Sequence, residues 1–115
     1  MTQPTIDRAV YDELKETAGA EFVVELVDTF LAEAPTMLGD LSRALAARDA
    51  DTFRRAAHSL KSNSNTFGAI ALGGMAKELE LTGLAPALAA NGASLDALAQ
   101  EYARVATALT ELKHA

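Results

Sequence analysis

With 115 residues, half of them apolar and under a quarter charged, the chain has the composition of a folded domain and enough length for one hydrophobic core. It has no cysteine, which excludes disulfides, thiol catalysis and cysteine-ligated zinc. Its net charge of −6 argues against nucleic acid as a partner, because phosphate-backbone affinity comes from clustered Lys and Arg.

Strand signals are sparse, and alanine and leucine dominate, so the chain reads as all-α. Five helices are predicted. The first covers about Ile6 to Thr17, with Ile6, Val10 and Leu14 on one stripe, Thr5 as N-cap and Gly19 as the stop. The second runs from about Glu21 to Ala47, with Phe22, Leu26, Phe30, Met37 or Leu38, Leu41 and Leu45 facing the core. Pro35 falls inside it, removing a backbone donor; because the apolar phase continues past it, one kinked helix is expected rather than two.

Asp49 or Asp51 caps the third helix, which reaches about Phe67 and closes at Gly68. The fourth starts near Ala69, with Leu72, Met75 or Ala76, and Leu79 inward, although Gly73 and Gly74 each weaken it by roughly 1 kcal/mol relative to alanine. Leu84 to Ala93 reads as a loop. Ser94 then caps a fifth helix whose stripe is Leu95, Leu98, Tyr102, Val105, Leu109 and Leu112. Short connections between long amphipathic helices predict an up-down antiparallel four-helix bundle with a short additional N-terminal helix, one domain over residues 1–115. The N-terminus lacks a signal-peptide pattern and no apolar run would span a bilayer, so a cytoplasmic protein without membrane contact is expected. Met1 and the complete helix set suggest a free-standing protein.

Catalytic options are few. There is no phosphate-binding Gly-rich loop, no HExxH and no nucleophile set beside either histidine. His58 and His114 share no ligand spacing, and Arg55, not a glutamate, precedes His58 by three, so no metal site is expected. The acidic residues read as solvated helix faces. His58 stands apart. On the third helix Phe53, Ala57, Leu60, Ser64 and Phe67 take the core side, which leaves Arg54, His58, Lys61, Ser62 and Asn65 as one polar face.

The segment from Asp51 to Phe67, with Arg54, Arg55 and Lys61 against Asp51, is +2 while the remainder is −8, which suits an acidic protein partner. A neutral imidazole is a covalent nucleophile, and attack on phosphorus would yield phosphohistidine. Lys61, one turn on, could neutralise phosphoryl oxygens, and small Ser62 and Asn65 leave room for a partner's active site. By spacing alone, an exposed histidine on a basic face without function is the favoured reading, because exposed histidines are common.

The stretch AHSLKSNSNTFGA, Ala57 to Ala69, resembles the signature of histidine-containing phosphotransfer (HPt) domains, with Ala57, His58, Leu60, Lys61, Ser64, Gly68 and Ala69 in register. The upstream run, including the proline after FLAEA, is also similar to that family's second and third helices. The resemblance covers about the whole chain. It implies a monomeric four-helix bundle in which His58 accepts the phosphoryl group and Lys61 stabilises it. The implied role is a relay between receiver-domain aspartates in a multistep two-component pathway, loaded by a hybrid histidine kinase. It also implies a phosphocarrier rather than an enzyme, with no cofactor in this chain and Mg²⁺ held by the partner receiver. Arg54, Arg55, Ser62 and Asn65 are the expected partner-binding residues. Two positions depart from the pattern: Ser62 stands where glycine is usual, and Asn63 where a small serine or alanine is usual. The alternative is a docking module of the same shape that inhibits or scaffolds a kinase or response regulator without carrying phosphate.

Overall fold

The chain's architecture starts from how each helix is begun and ended. A computed structural model describes residues 5–114, so the reading of Met1 as a chain start lies outside the described residues. Helix α1 (Arg8–Ala18) is capped by Asp7 rather than Thr5: the Asp7 carboxylate accepts from the Ala9 amide at 3.0 Å. The Asp7 amide in turn donates to the Gly68 carbonyl at 2.8 Å, which ties the start of α1 to a turn far along the chain. Gly68 has φ +82°, and a Cβ there would lie 2.7 Å from the Asp7 carbonyl oxygen. Only glycine meets both conditions.

Helix α2 (Ala20–Ala47) runs unbroken through Pro35, as the continuing apolar phase predicted. The missing proline N–H leaves the Leu31 carbonyl without its helical donor, and the Tyr102 hydroxyl approaches that carbonyl at 3.4 Å. The predicted core stripe of α2 needs correction. Val23, Val27, Phe30, Ala34, Leu41 and Ala44 are buried, whereas Leu26, Met37, Leu38 and Leu45 are partly buried and Phe22 is half exposed. α2 packs against both α3 and α6, so the centre of its broad apolar band points inward. That centre is filled partly by alanines, which a search for large residues overlooks.

Helix α3 (Ala50–Thr66) is capped by Asp49, whose carboxylate accepts from the Thr52 amide at 3.1 Å and the Thr52 hydroxyl at 2.6 Å. The Thr52 side chain, then its amide, holds the Asp49 carboxyl below its usual range. Phe53, Ala57, Leu60, Ser64 and Phe67 are buried as predicted. The Phe67 ring packs on Phe30 at 5.4 Å, and Phe30 meets Tyr102 edge-on at 6.0 Å, joining three elements in one core.

Helix α4 (Ile70–Thr82) follows directly. The stretch expected to be a loop instead contains a six-residue helix, α5 (Leu84–Ala89), anchored by buried Ala87. Pro86 sits in its first turn, where the absent N–H has no helical acceptor to miss. Helix α6 (Ala93–Lys113) begins after Gly92, and Ser94 does not cap it; the Ser94 hydroxyl is buried with no hydrogen-bond partner. Along α6, Leu98, Val105 and Leu109 are buried, while Leu95, Tyr102 and Leu112 pack at the margin. Helices α2, α3, α4 and α6 alternate in direction and share one core, with α1 laid against α2 and α3. This is the predicted all-α bundle with one extra helix. Among the described residues no helix is long and apolar enough to cross a membrane.

Candidate functional site

The polar run after His58 is explained first by its own helix. Asn63 donates to the Ser59 carbonyl at 2.9 Å, Ser64 to Leu60 at 2.6 Å and Thr66 to Ser62 at 3.0 Å. These side chains bond back one turn, so Ser64 can be fully buried without an orphaned hydroxyl. Ser62 remains exposed on the same face as His58, with only a short side chain.

A second helix completes the face. The α3–α4 turn is tight at Gly68, and the two helices pack along their length. Their approach is close at Gly73, where a Cβ would come within 2.1 Å of the Asn65 side-chain oxygen. Asn65 is therefore on the predicted face, but its carboxamide lies over α4 as well as being open to solvent.

That approach carries Glu80 to His58. The His58 Nδ1 is 2.6 Å from Glu80 Oε2, and the Lys61 ammonium donates to Glu80 Oε1 at 2.7 Å. One carboxylate thus holds both residues singled out in the sequence. The Lys61 ammonium is the main reason the Glu80 carboxyl lies below its usual range, with the His58 hydrogen bond adding to it and partial burial opposing it. An ionised carboxylate only accepts, so Nδ1 donates to it, and in the neutral form of the ring the lone pair is then on Nε2. The His58 side chain is 58 % exposed, against 25 % for Lys61 and 18 % for Glu80. The imidazole is open to an incoming group while its two partners are shielded.

The electrostatics differ from the reading by segment. Arg55 pairs with Asp51 at 2.7 Å, with Arg54 near the same carboxylate at 3.9 Å, and Lys61 is held by Glu80. The face is consequently less basic than the +2 segment suggested, because Glu80 arrives from outside that segment. Arg55 also stands away from the His58 stripe: it lines a groove of about 370 Å³ between α2 and α3 with Met37, Asp40, Thr52, Ala56 and Ser59. Arg54, Ser62 and Asn65 stay on the exposed side of α3 with His58.

Two glutamates break the expectation that acidic residues are solvated. Besides Glu80, Glu101 on α6 is buried and accepts from the Arg104 guanidinium at 2.6 and 2.9 Å. Glu80 was missed because 22 residues separate it from His58. A signal was present: residues 58 and 80 are equally far from Ala69, so a tight antiparallel hairpin turning there sets them opposite each other. Among the described residues no cluster of His, Asp and Glu could hold a metal ion.

A helical bundle with a histidine on an open face and a lysine one turn away defines a class, and the comparisons agree with it. The model of the Hpt domain family matches residues 25–108, which include every residue of this face. The chain belongs to the Hpt domain family, whose members are helical phosphocarriers in histidine phosphotransfer. Among solved structures it is similar to the crystal structure of histidine-containing phosphotransfer protein B (HptB) from Pseudomonas aeruginosa PAO1. The two share 33 % identity over 98 % of this chain and 97 % of that one, with a TM-score of 0.87. None of the curated proteins compared matches the chain.

Proposed function

We propose that the chain relays a phosphoryl group between receiver-domain aspartates through a phosphohistidine at Nε2 of His58. The observation that carries this reading is the exposed imidazole whose Nδ1 is engaged by Glu80, beside a lysine one turn away. In loading, the Nε2 lone pair attacks phosphorus in line, the N–P bond forms, and the P–O bond to the donor aspartate breaks with its electrons returning to that carboxylate. Unloading reverses these changes on a second receiver. Lys61 supplies positive charge to the phosphoryl oxygens. Arg54, Ser62 and Asn65 form the part of α3 that a receiver covers, and Arg55 contacts it from the α2–α3 groove.

The face presents one exposed imidazole as its nucleophile, which suits a carrier whose partner supplies the catalytic pocket. The receiver brings the acidic residues and Mg²⁺, so this chain needs no cofactor. It works as a cytoplasmic monomer, with a hybrid histidine kinase upstream and a response regulator downstream. The test is phosphotransfer profiling with purified protein and a His58→Gln control. Acid-labile label on the wild type alone, passing to one or a few receivers, is the expected outcome. Transfer that survives in His58→Gln would refute the assignment.

A further inference from the structure

Glu80 is engaged on both oxygens, by the nucleophile on one side and by its cationic neighbour on the other. We infer that Glu80 sets the lifetime of the phosphohistidine, orienting the ring for attack and then competing with the bound phosphoryl group for Lys61. The inference rests on the proposed phosphorylation of His58.

Two consequences follow from the geometry. When Nε2 takes phosphorus, Nδ1 keeps its proton and the ring becomes cationic; Glu80 Oε2, 2.6 Å away, faces that charge. A protonated ring leaves as neutral imidazole when the N–P electrons return to Nε2, so stabilising the Nδ1 proton keeps the phosphoryl group transferable. Secondly, the phosphoryl dianion and Glu80 Oε1 call on one ammonium, and Oε1 already holds it at 2.7 Å. Both effects shorten the life of the phosphorylated state. The carboxylate and lysine are shielded enough for the pairing to persist, and the depressed Glu80 carboxyl is ionised at neutral pH. Glu80 is a positioning residue, because it acts through His58 and Lys61. A glutamine there would keep an acceptor for Nδ1–H while removing the charge that holds Lys61.

The experiment uses the full chain as wild type, Glu80→Gln, Glu80→Ala, Lys61→Ala and the Lys61→Ala/Glu80→Gln double variant, with His58→Gln to identify the labelled residue. Each is loaded with phosphoramidate, whose P–N bond breaks to release ammonia, and decay is followed by ³¹P NMR. Glu80→Gln is expected to lengthen the phosphohistidine lifetime by about threefold, the scale of a partly exposed ion pair. That gain should shrink in the Lys61→Ala background. Glu80→Ala should load more slowly than Glu80→Gln, because only glutamine preserves the hydrogen bond that orients the ring. Imidazole ¹⁵N shifts should report the Nδ1–H tautomer in the wild type and a mixture in Glu80→Ala.

An unchanged or shorter lifetime in Glu80→Gln, or an Nε2–H tautomer in the wild type, overturns the inference while leaving His58 as the acceptor. Failure of the wild type to form phosphohistidine from phosphoramidate or a phosphorylated receiver removes the underlying reading, and the inference with it.

Discussion

The α3–α4 edge and helix α6 each shelter a glutamate, and the two are built differently. Glu101 pairs with Arg104 three residues along its own helix, a contact that helical spacing alone supplies. Glu80 pairs with His58 and Lys61 across a helix–helix boundary, so its contacts exist only when α3 and α4 are docked. A local pair reports that a helix has formed. A pair across helices reports that the bundle has closed, and here it closes on the residue proposed to carry phosphate.

The comparison is broken most severely by loosening α3. Leu60 is fully buried on the core side of that helix, and Leu60→Ala should cost about 2–5 kcal/mol in urea unfolding, as core truncations of this kind do. The expected signature is loss of the His58–Glu80 contact in imidazole ¹⁵N spectra at urea concentrations where α6 is still helical. A smaller loss should come from Gly68→Ala, which forces a side chain into a left-handed conformation against the Asp7 carbonyl. Destabilisation of about 1–2 kcal/mol is expected from the backbone conformation, with α1 losing amide-exchange protection first. Protection lost uniformly across all helices would contradict the tie between Asp7 and Gly68.

Acid sharpens the contrast further. The folded Glu80 carboxyl is depressed, so its contribution to stability is complete above its unfolded range and fades as pH falls through the folded value. Thermal midpoints of wild type and Glu80→Gln should therefore converge on acidification. Parallel curves would show that the Glu80 contacts contribute nothing to folding. The smallest effect belongs to Glu101→Gln. The Arg104 end of that pair is largely exposed, so a change within about 1 kcal/mol is expected, with the His58 spectrum unmoved.

Helix α3 shows why some of the molecule was legible in advance. Its core stripe of Phe53, Ala57, Leu60, Ser64 and Phe67 recurs at alternating spacings of four and three and is buried throughout, and the same periodicity puts His58 and Lys61 on the other side. Helix α2 was harder, since its apolar band is wide enough to contain two adjacent stripes, and packing on two neighbours selected the one richer in small residues. The stretch from Leu84 misled because its Ala/Gly/Asn-rich composition reads as irregular, while Ala87 found a place in the core that made a short helix worth forming.

Local rules of spacing, capping and turn chemistry act within a few residues, and they settled that the chain is helical, where most helices begin and end, and which side of α3 faces water. They also placed the histidine, the lysine and the small polar residues on one exposed face, in a pattern that resembles a known family. Tertiary structure alone decided that Glu80 joins them, that the face is less basic than its segment, and that Asn65 serves the α3–α4 contact as well as the surface. Those outcomes depend on how closely two helices approach at Gly73 and Gly68, a distance set by packing across the bundle rather than by periodicity along either helix.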